Sequence, residues 1–303
     1  VPTNEERREA AKRKLDEQLQ RQASQERRRR LLTIVGAVVA VVVVAAVVIF
    51  LVVNNKDSDD TAASETSTSA TAATSATSAT PGPSVDGVAT LPPFQAPADL
   101  GANCQYPATP QPADKPVNPP RTGKVPTDPA QVSVSMTTSQ GNLGLELDNA
   151  KAPCTVNSFA SLAQQGYFND TTCHRLTTDP NLKVLQCGDP TGTGTGGPGY
   201  GFANEYPTNQ YQPDDPALQQ PMIYPRGTLA MANTGAPGSN GSQFFLVYAD
   251  SKLPPTYTAF GTIDQTGLAT LDKIAAGGVA PSDRGPTDGA PATEVQVKSV
   301  LLD

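Results

Sequence analysis

Tryptophan is absent from this 303-residue chain, and histidine occurs once, at His174. One histidine, four cysteines and no Cys-x-x-Cys pair give zinc too few ligands at a workable spacing. No serine or cysteine nucleophile accompanies His174 in a recognised arrangement. Cys173 is its neighbour, but adjacent strand residues point to opposite faces, so the two do not form a pair. The glycine-rich run Gly192 to Gly201 (GTGTGGPGYG) lacks the lysine of a phosphate loop and opens no evident helix. No metal or organic cofactor is implied. Basic residues are outnumbered by acidic ones, 22 to 29, for a net charge of −7. An acidic surface argues against nucleic acid as a partner, because a phosphate backbone demands the opposite sign.

Charge is also missing from one long stretch. Leu31 to Val53 holds 23 residues without an ionisable side chain, and only Thr33 and Gly36 depart from the apolar set. At about 1.5 Å per residue such a helix covers about 34 Å, enough for a hydrocarbon core of about 30 Å. Arg27 to Arg30 precede it, while Asn54, Asn55, Lys56 and Asp57 follow. The positive-inside rule then places residues 1–30 in the cytoplasm and the rest outside. The 30 polar residues ahead of the span and the lack of a small-residue cleavage site argue against a cleaved signal. The expectation is a single-pass cell-membrane protein that contacts lipid through residues 31–53. Residues 1–30 carry about +4, which leaves about −11 on the extracytoplasmic side.

The chain divides into four parts on this reading. Residues 1–30 form a charged helical segment and 31–53 the transmembrane helix. Residues 54–128 form a disordered tether, first Ala/Ser/Thr-rich and then proline-rich, with too little apolar surface to offset backbone ordering. Cys104 and Tyr106 stand out in it as places where it is stapled back onto the domain. Residues 129–303 form the globular domain, long enough for one core. There Val132, Val134 and Met136 alternate, Gly141 breaks the chain, and Leu143, Leu145 and Leu147 resume, which predicts a hairpin. Thr155 to Gln165 and Gly267 to Ala276 have helical spacing. Short strands are expected at Val184-Leu185, Thr228 to Ala232, Phe244 to Val247, Ala259 to Ile263 and Val295 to Leu302. Many short strands with two isolated helices suggest a closed antiparallel barrel, since closure removes exposed edges.

Five segments carry a resemblance: CHR at 173–175, QCGD at 186–189, GTLAMAN at 227–233, NGSQFF at 240–245 and AFG at 259–261. In order and spacing they are similar to the F-H-R, Q-G-G-D, G-x-L-S-M-A-N, N-G-S-Q-F-F and V-F-G segments of the cyclophilins, and the layout resembles the membrane-anchored cyclophilins of actinobacteria. The resemblance covers about 129–303. It implies a mainly β fold, a closed eight-stranded antiparallel β-barrel capped by two α-helices. It also implies peptidyl-prolyl cis-trans isomerase activity on exported proteins. Arg175, Gln186 and Phe245 take the catalytic places, while Val184, Ala232, Asn233, Gln243, Leu253 and Tyr257 bind substrate. Partners are then proline-containing peptides and unfolded exported proteins. A second reading keeps the fold as a proline-peptide-binding module with little catalysis.

The chain departs from the family pattern at several positions. The run between Arg175 and Gln186 is about three residues longer, and the family's pocket phenylalanine is replaced by Leu182 or Lys183. The position that often holds tryptophan falls at Lys252. A thinner apolar wall implies lowered activity toward standard proline peptides and weakened cyclosporin binding. The four cysteines allow three full pairings. Cys154 with Cys173 would close a loop of about 20 residues, worth roughly 3 kcal/mol, and Cys104 with Cys187 would then tie tether to barrel.

Overall fold

A computed structural model describes residue 82, residues 84–85 and residues 87–303. Two two-residue strands come first, β1 (Ser84–Val85) and β2 (Val88–Ala89), paired with each other. The domain proper opens with β3 (Val132–Thr138) and β4 (Gly141–Leu147), the hairpin that alternation predicts. Helix α1 (Pro153–Gln164) follows, then β5 (Thr171–Thr172), β6 (Arg175–Thr177) and β7 (Val184–Cys187). Two short 3₁₀ turns precede β8 (Met222–Tyr224) and β9 (Thr228–Met231). The chain continues through β10 (Phe244–Val247), β11 (Ser251–Leu253), β12 (Ala259–Ile263) and helix α2 (Gln265–Ala276). It ends with β13 (Asp288–Gly289) and β14 (Gln296–Leu302).

Ten strands form the main sheet, in the order β13-β6-β7-β10-β9-β12-β4-β3-β14-β5. This corrects the closed eight-stranded barrel expected from the sequence: the sheet is an open, curled half-barrel. The reason lies at Cys173 and His174. These two residues are the whole link between β5 and β6, which lie at or next to opposite ends of the ladder. The two strands therefore follow one another along the chain rather than pairing side by side. The edge strands of the sheet, β13 and β5, are two residues each, short enough to leave little template for another strand.

The core is built by the period of two. Along β10, Phe244 and Leu246 enter the main core with Phe159, Phe168 and Phe260. Phe245 and Val247 turn to a smaller cluster with Val184, Tyr206 and Tyr224. Helix α1 buries Val156, Phe159, Leu162 and Ala163, the spacing of one helical face. Pro153 stands in its first turn, where a missing N–H costs nothing. Its N-cap residue offers no side-chain bond; instead the buried Glu205 accepts from the Cys154 N–H at 3.0 Å, the Thr155 N–H at 2.7 Å and the Thr155 hydroxyl at 2.7 Å. A carboxylate there meets the donors that any helix start leaves unpaired. Asp264 does the same for α2, accepting from the Gly267 N–H at 2.6 Å.

The proline-rich stretch is a second correction. Where it is described it is no loose tether but a strap laid across the domain, with Cys104, Tyr106 and Val125 buried. Its order comes from partners elsewhere in the chain. The Tyr106 hydroxyl donates to the Cys154 carbonyl at 2.6 Å, and the Lys115 ammonium donates to the carbonyls of Gly166, Tyr167 and Asn169 at 2.9, 3.1 and 2.9 Å. The disulfides differ from the expected pairs as well: Cys104 bonds Cys154, and Cys173 bonds Cys187. The β6–β7 register, with Arg175 opposite Gln186, brings Cys173 and Cys187 together just beyond the end of that ladder. The strap meanwhile delivers Cys104 to the start of α1.

The expected membrane span at 31–53 and the charged segment at 1–30 lie outside the described residues. Among the described residues no helix is long and apolar enough to cross a membrane. The single-pass placement and the lipid partner thus gain nothing from the structure and are withdrawn.

Candidate active site

Three strands set the site. Arg175 on β6 lies opposite Gln186 on β7, which lies opposite Phe245 on β10. Residues directly opposite in a ladder project to the same side. The next row, Leu176, Leu185 and Leu246, accordingly enters the main core, while Val184, two residues before Gln186, returns to the side of Phe245. A polar row and an apolar floor thus come from strand pairing alone.

Arg175 is held in place by a fork. Its Nε donates to Asp288 Oδ1 and its Nη2 to Asp288 Oδ2, both at 2.8 Å, and Nη1 donates to Gln186 Oε1 at 3.2 Å. Gln186 Nε2 passes the contact on to Gln243 Oε1 at 2.9 Å. Gln243 Nε2 in turn donates to the carbonyls of Gly194 and Gly196 at 3.1 and 3.0 Å. The hydrogen bonds that Arg175 donates to Asp288 raise the Arg175 pKa above its usual value and hold the Asp288 carboxyl below the usual carboxylate range. The pair is fully charged at neutral pH. Arg284 Nη1 stands 3.8 Å from Asp288 Oδ1, a looser second cation.

Beside this fork is a hollow of about 230 Å³ lined by Arg175, Leu182, Val184, Gln186, Ala232, Asn233, Phe245, Leu253 and Tyr257. The Phe245 ring is 5% exposed and meets the Tyr257 ring edge to face at 5.8 Å. Eight of the nine residues singled out from the sequence line this space; Gln243 stands behind it, bonded to Gln186. Leu182 takes the wall position that the sequence left open between Leu182 and Lys183. Lys252 is exposed on β11 and does not line the hollow. The Asn233 side chain is committed to the fold, donating to the Thr256 carbonyl at 2.9 Å and Asn240 Oδ1 at 3.2 Å. His174 is absent from the lining, and burial lowers its pKa. Among the described residues no three His, Cys, Asp or Glu side chains converge as a metal would require.

Sequence reasoning missed Asp288. It sits 113 residues beyond its partner, on the two-residue strand β13, too short to show a hydrophobic period, and outside the five matching segments. An acid shortly before the last strand is the one available signal, and Asp283 offers the same signal without the contact to Arg175.

Residues 133–301, more than half the chain, match the cyclophilin type peptidyl-prolyl cis-trans isomerase family. The chain belongs to the cyclophilins. This cyclophilin is 71% identical over 213 residues to the probable peptidyl-prolyl cis-trans isomerase B of Mycobacterium tuberculosis, a match spanning 70% of this chain and 68% of that one. Its identity to the Mycobacterium leprae protein of the same name is 68% over 213 residues, 70% of this chain and 71% of that one. A Helicobacter pylori peptidyl-prolyl cis-trans isomerase is 38% identical over 147 residues, 48% of this chain and 81% of that one. The protein is a peptidyl-prolyl cis-trans isomerase, acting on Xaa-Pro bonds. The reading as a binding module with little catalysis falls away.

Proposed function

We propose that this cyclophilin turns Xaa-Pro bonds by seating the proline ring on Phe245 and donating from Arg175 to the imide nitrogen as the bond twists. Resonance makes the C–N bond partly double, with a barrier of about 18–20 kcal/mol. Halfway through rotation the nitrogen loses that resonance, becomes pyramidal and regains a lone pair. A donor placed at that nitrogen stabilises the twisted state more than either planar isomer, the condition for faster turnover. No bond is made or broken, so the enzyme needs no nucleophile and no proton acceptor.

The observation that carries this reading is a guanidinium fixed by Asp288 and Gln186 at the rim of a hollow floored by Phe245. A guanidinium pre-oriented before substrate arrives does not have to reorganise during the reaction, and the apolar wall strengthens its field. Val184, Leu182 and Leu253 close the sides of the proline socket, and Tyr257 packs across Phe245. Gln186 and Gln243 hold the guanidinium through the amide chain that ends on the glycine-rich loop. The main chain at Ala232 and Asn233 takes the residue before the proline, so recognition there is largely independent of side chain. Leu182 in place of an aromatic wall, with Lys252 exposed, leaves little for a large cyclic peptide such as cyclosporin to stack on, and its binding is weak.

A prolyl isomerase assay on the full chain tests the reading. Arg175→Ala should lower kcat at least a hundredfold while the dissociation constant for an Ala-Pro peptide changes less than threefold. A variant that turns over within threefold of the parent would show that the guanidinium is not the catalytic group.

A further inference from the structure

A second and larger hollow adjoins the proline socket, and its far wall is the strap. It measures about 670 Å³ and shares Gln186, Ala232 and Asn233 with the socket. One side is the glycine-rich loop from Gly194 to Tyr200; the end wall is Thr109, Gln111, Pro112 and Asp114. The strap residues lie outside the 133–301 region that matches the cyclophilin family.

The wall is a built feature rather than a chance contact. Strap and loop pair through the main chain: the Thr109 N–H donates to the Gly199 carbonyl at 3.0 Å, the Asp114 N–H to Gly197 at 3.1 Å, and the Gly201 N–H to Pro107 at 3.0 Å. The approach is so close at Gly199 that a Cβ there would lie 2.6 Å from the Ala113 nitrogen, and φ is +78°. Only glycine accommodates both conditions. The Cys104–Cys154 bond and the Lys115 ammonium pin the strap on either side of the wall.

Asp114 is the single acidic or basic side chain in the lining. Its Oδ2 accepts from the Gly197 N–H at 2.8 Å, which fixes the carboxylate at the rim, and no salt bridge to it occurs among the described residues. In the reading above, the residue before the proline lies along Ala232 and Asn233. An extended peptide advances about 3.3 Å per residue, so the residues preceding that one enter the larger hollow.

We propose that the strap converts this hollow into a selective pocket, and that Asp114 favours substrates with lysine or arginine two or three residues before the proline. The inference rests on the proposed seating of proline at Phe245, and its test separates the two.

The experiment measures kcat/KM of the full chain on peptides identical except for Lys, Ala or Glu at the second residue before the proline. An exposed pair of opposite charges supports a preference of about threefold for Lys over Ala, with Glu lower again. Asp114→Asn should bring the Lys-to-Glu ratio close to one, and Asp114→Lys should invert it. About 0.5 M salt should compress the parent's ratio, since exposed charges are screened. A parent without Lys preference, or an Asp114→Asn variant that slows all three peptides equally with the ratio intact, overturns the proposal. Should the parent turn over none of the peptides, the seating of proline beside Arg175 is at fault instead.

Discussion

Removing Asp288 should expose how much of the catalysis depends on holding Arg175 still. Asp288→Ala deletes both 2.8 Å bonds of the fork and leaves the guanidinium with the 3.2 Å contact to Gln186. Hydrogen bonds to charged groups contribute about 1.5–3 kcal/mol when buried. The two side chains here are 28% and 25% exposed, so solvent screening reduces that to about 1–2 kcal/mol for the pair. If that free energy selects the productive rotamer, its loss leaves the guanidinium in place about a tenth of the time, and kcat falls about tenfold. KM should move less than twofold, because the apolar socket is untouched. Asp288→Glu, which keeps the charge, should recover part of the loss. In a double-mutant cycle, adding Asp288→Ala to Arg175→Ala should cost nothing further, since the carboxylate acts through the guanidinium. Kinetics on one Ala-Pro peptide would measure the parent and all four variants. A tenfold fall in the Arg175→Ala background as well, or faster turnover in Asp288→Ala because the arginine charge is no longer neutralised, would refute this reasoning.

Other outcomes follow from the same geometry. Phe245→Ala removes the floor of the socket: KM should rise at least fivefold, and the fold should lose about 3 kcal/mol in a urea titration, as for a buried aromatic. Cys104→Ser opens a bond with a sequence separation of 50. Chain entropy assigns that bond about 4 kcal/mol, and a calorimetric Tm about 10 °C lower is expected. Between pH 6 and 9 kcat/KM should be flat. Asp288 is held ionised by its bonds to Arg175, and its folded pKa is depressed, so its stabilising effect is complete above the unfolded carboxylate value of about 3.9 and is lost only as pH falls through the folded value. An acid limb below the ordinary histidine range would point instead to His174, whose pKa burial lowers.

Which side chains share the hollow is more legible in the sequence than the architecture around it. Arg175, Gln186 and Phe245 fall in short segments whose spacing is set by strand register, so naming the segments was enough to place the three side chains in one row. Leu143, Leu145 and Leu147 likewise declare their strand by alternation. Sheet closure is different, because it depends on whether β5 and β6 run side by side or end to end, and two residues at Cys173 and His174 decide that without any compositional mark. Disulfide partners are equally hidden: position along the chain favours Cys154 with Cys173, and only the strap's path brings Cys104 to Cys154. The strap itself reads as a tether because prolines bury little of their own. Its order is supplied by Tyr106, Lys115 and the glycine-rich loop, contacts of long sequence separation that composition does not report. Asp288 was invisible for the same reason.

Exchange NMR on a saturated Xaa-Pro peptide gives the cis–trans rate on the enzyme itself, free of binding and release. With the parent protein the bound peptide should interconvert at least a hundredfold faster than with Arg175→Ala, at equal occupancy. Equal rates on the two proteins would contradict the claim that the Arg175 guanidinium stabilises the twisted bond.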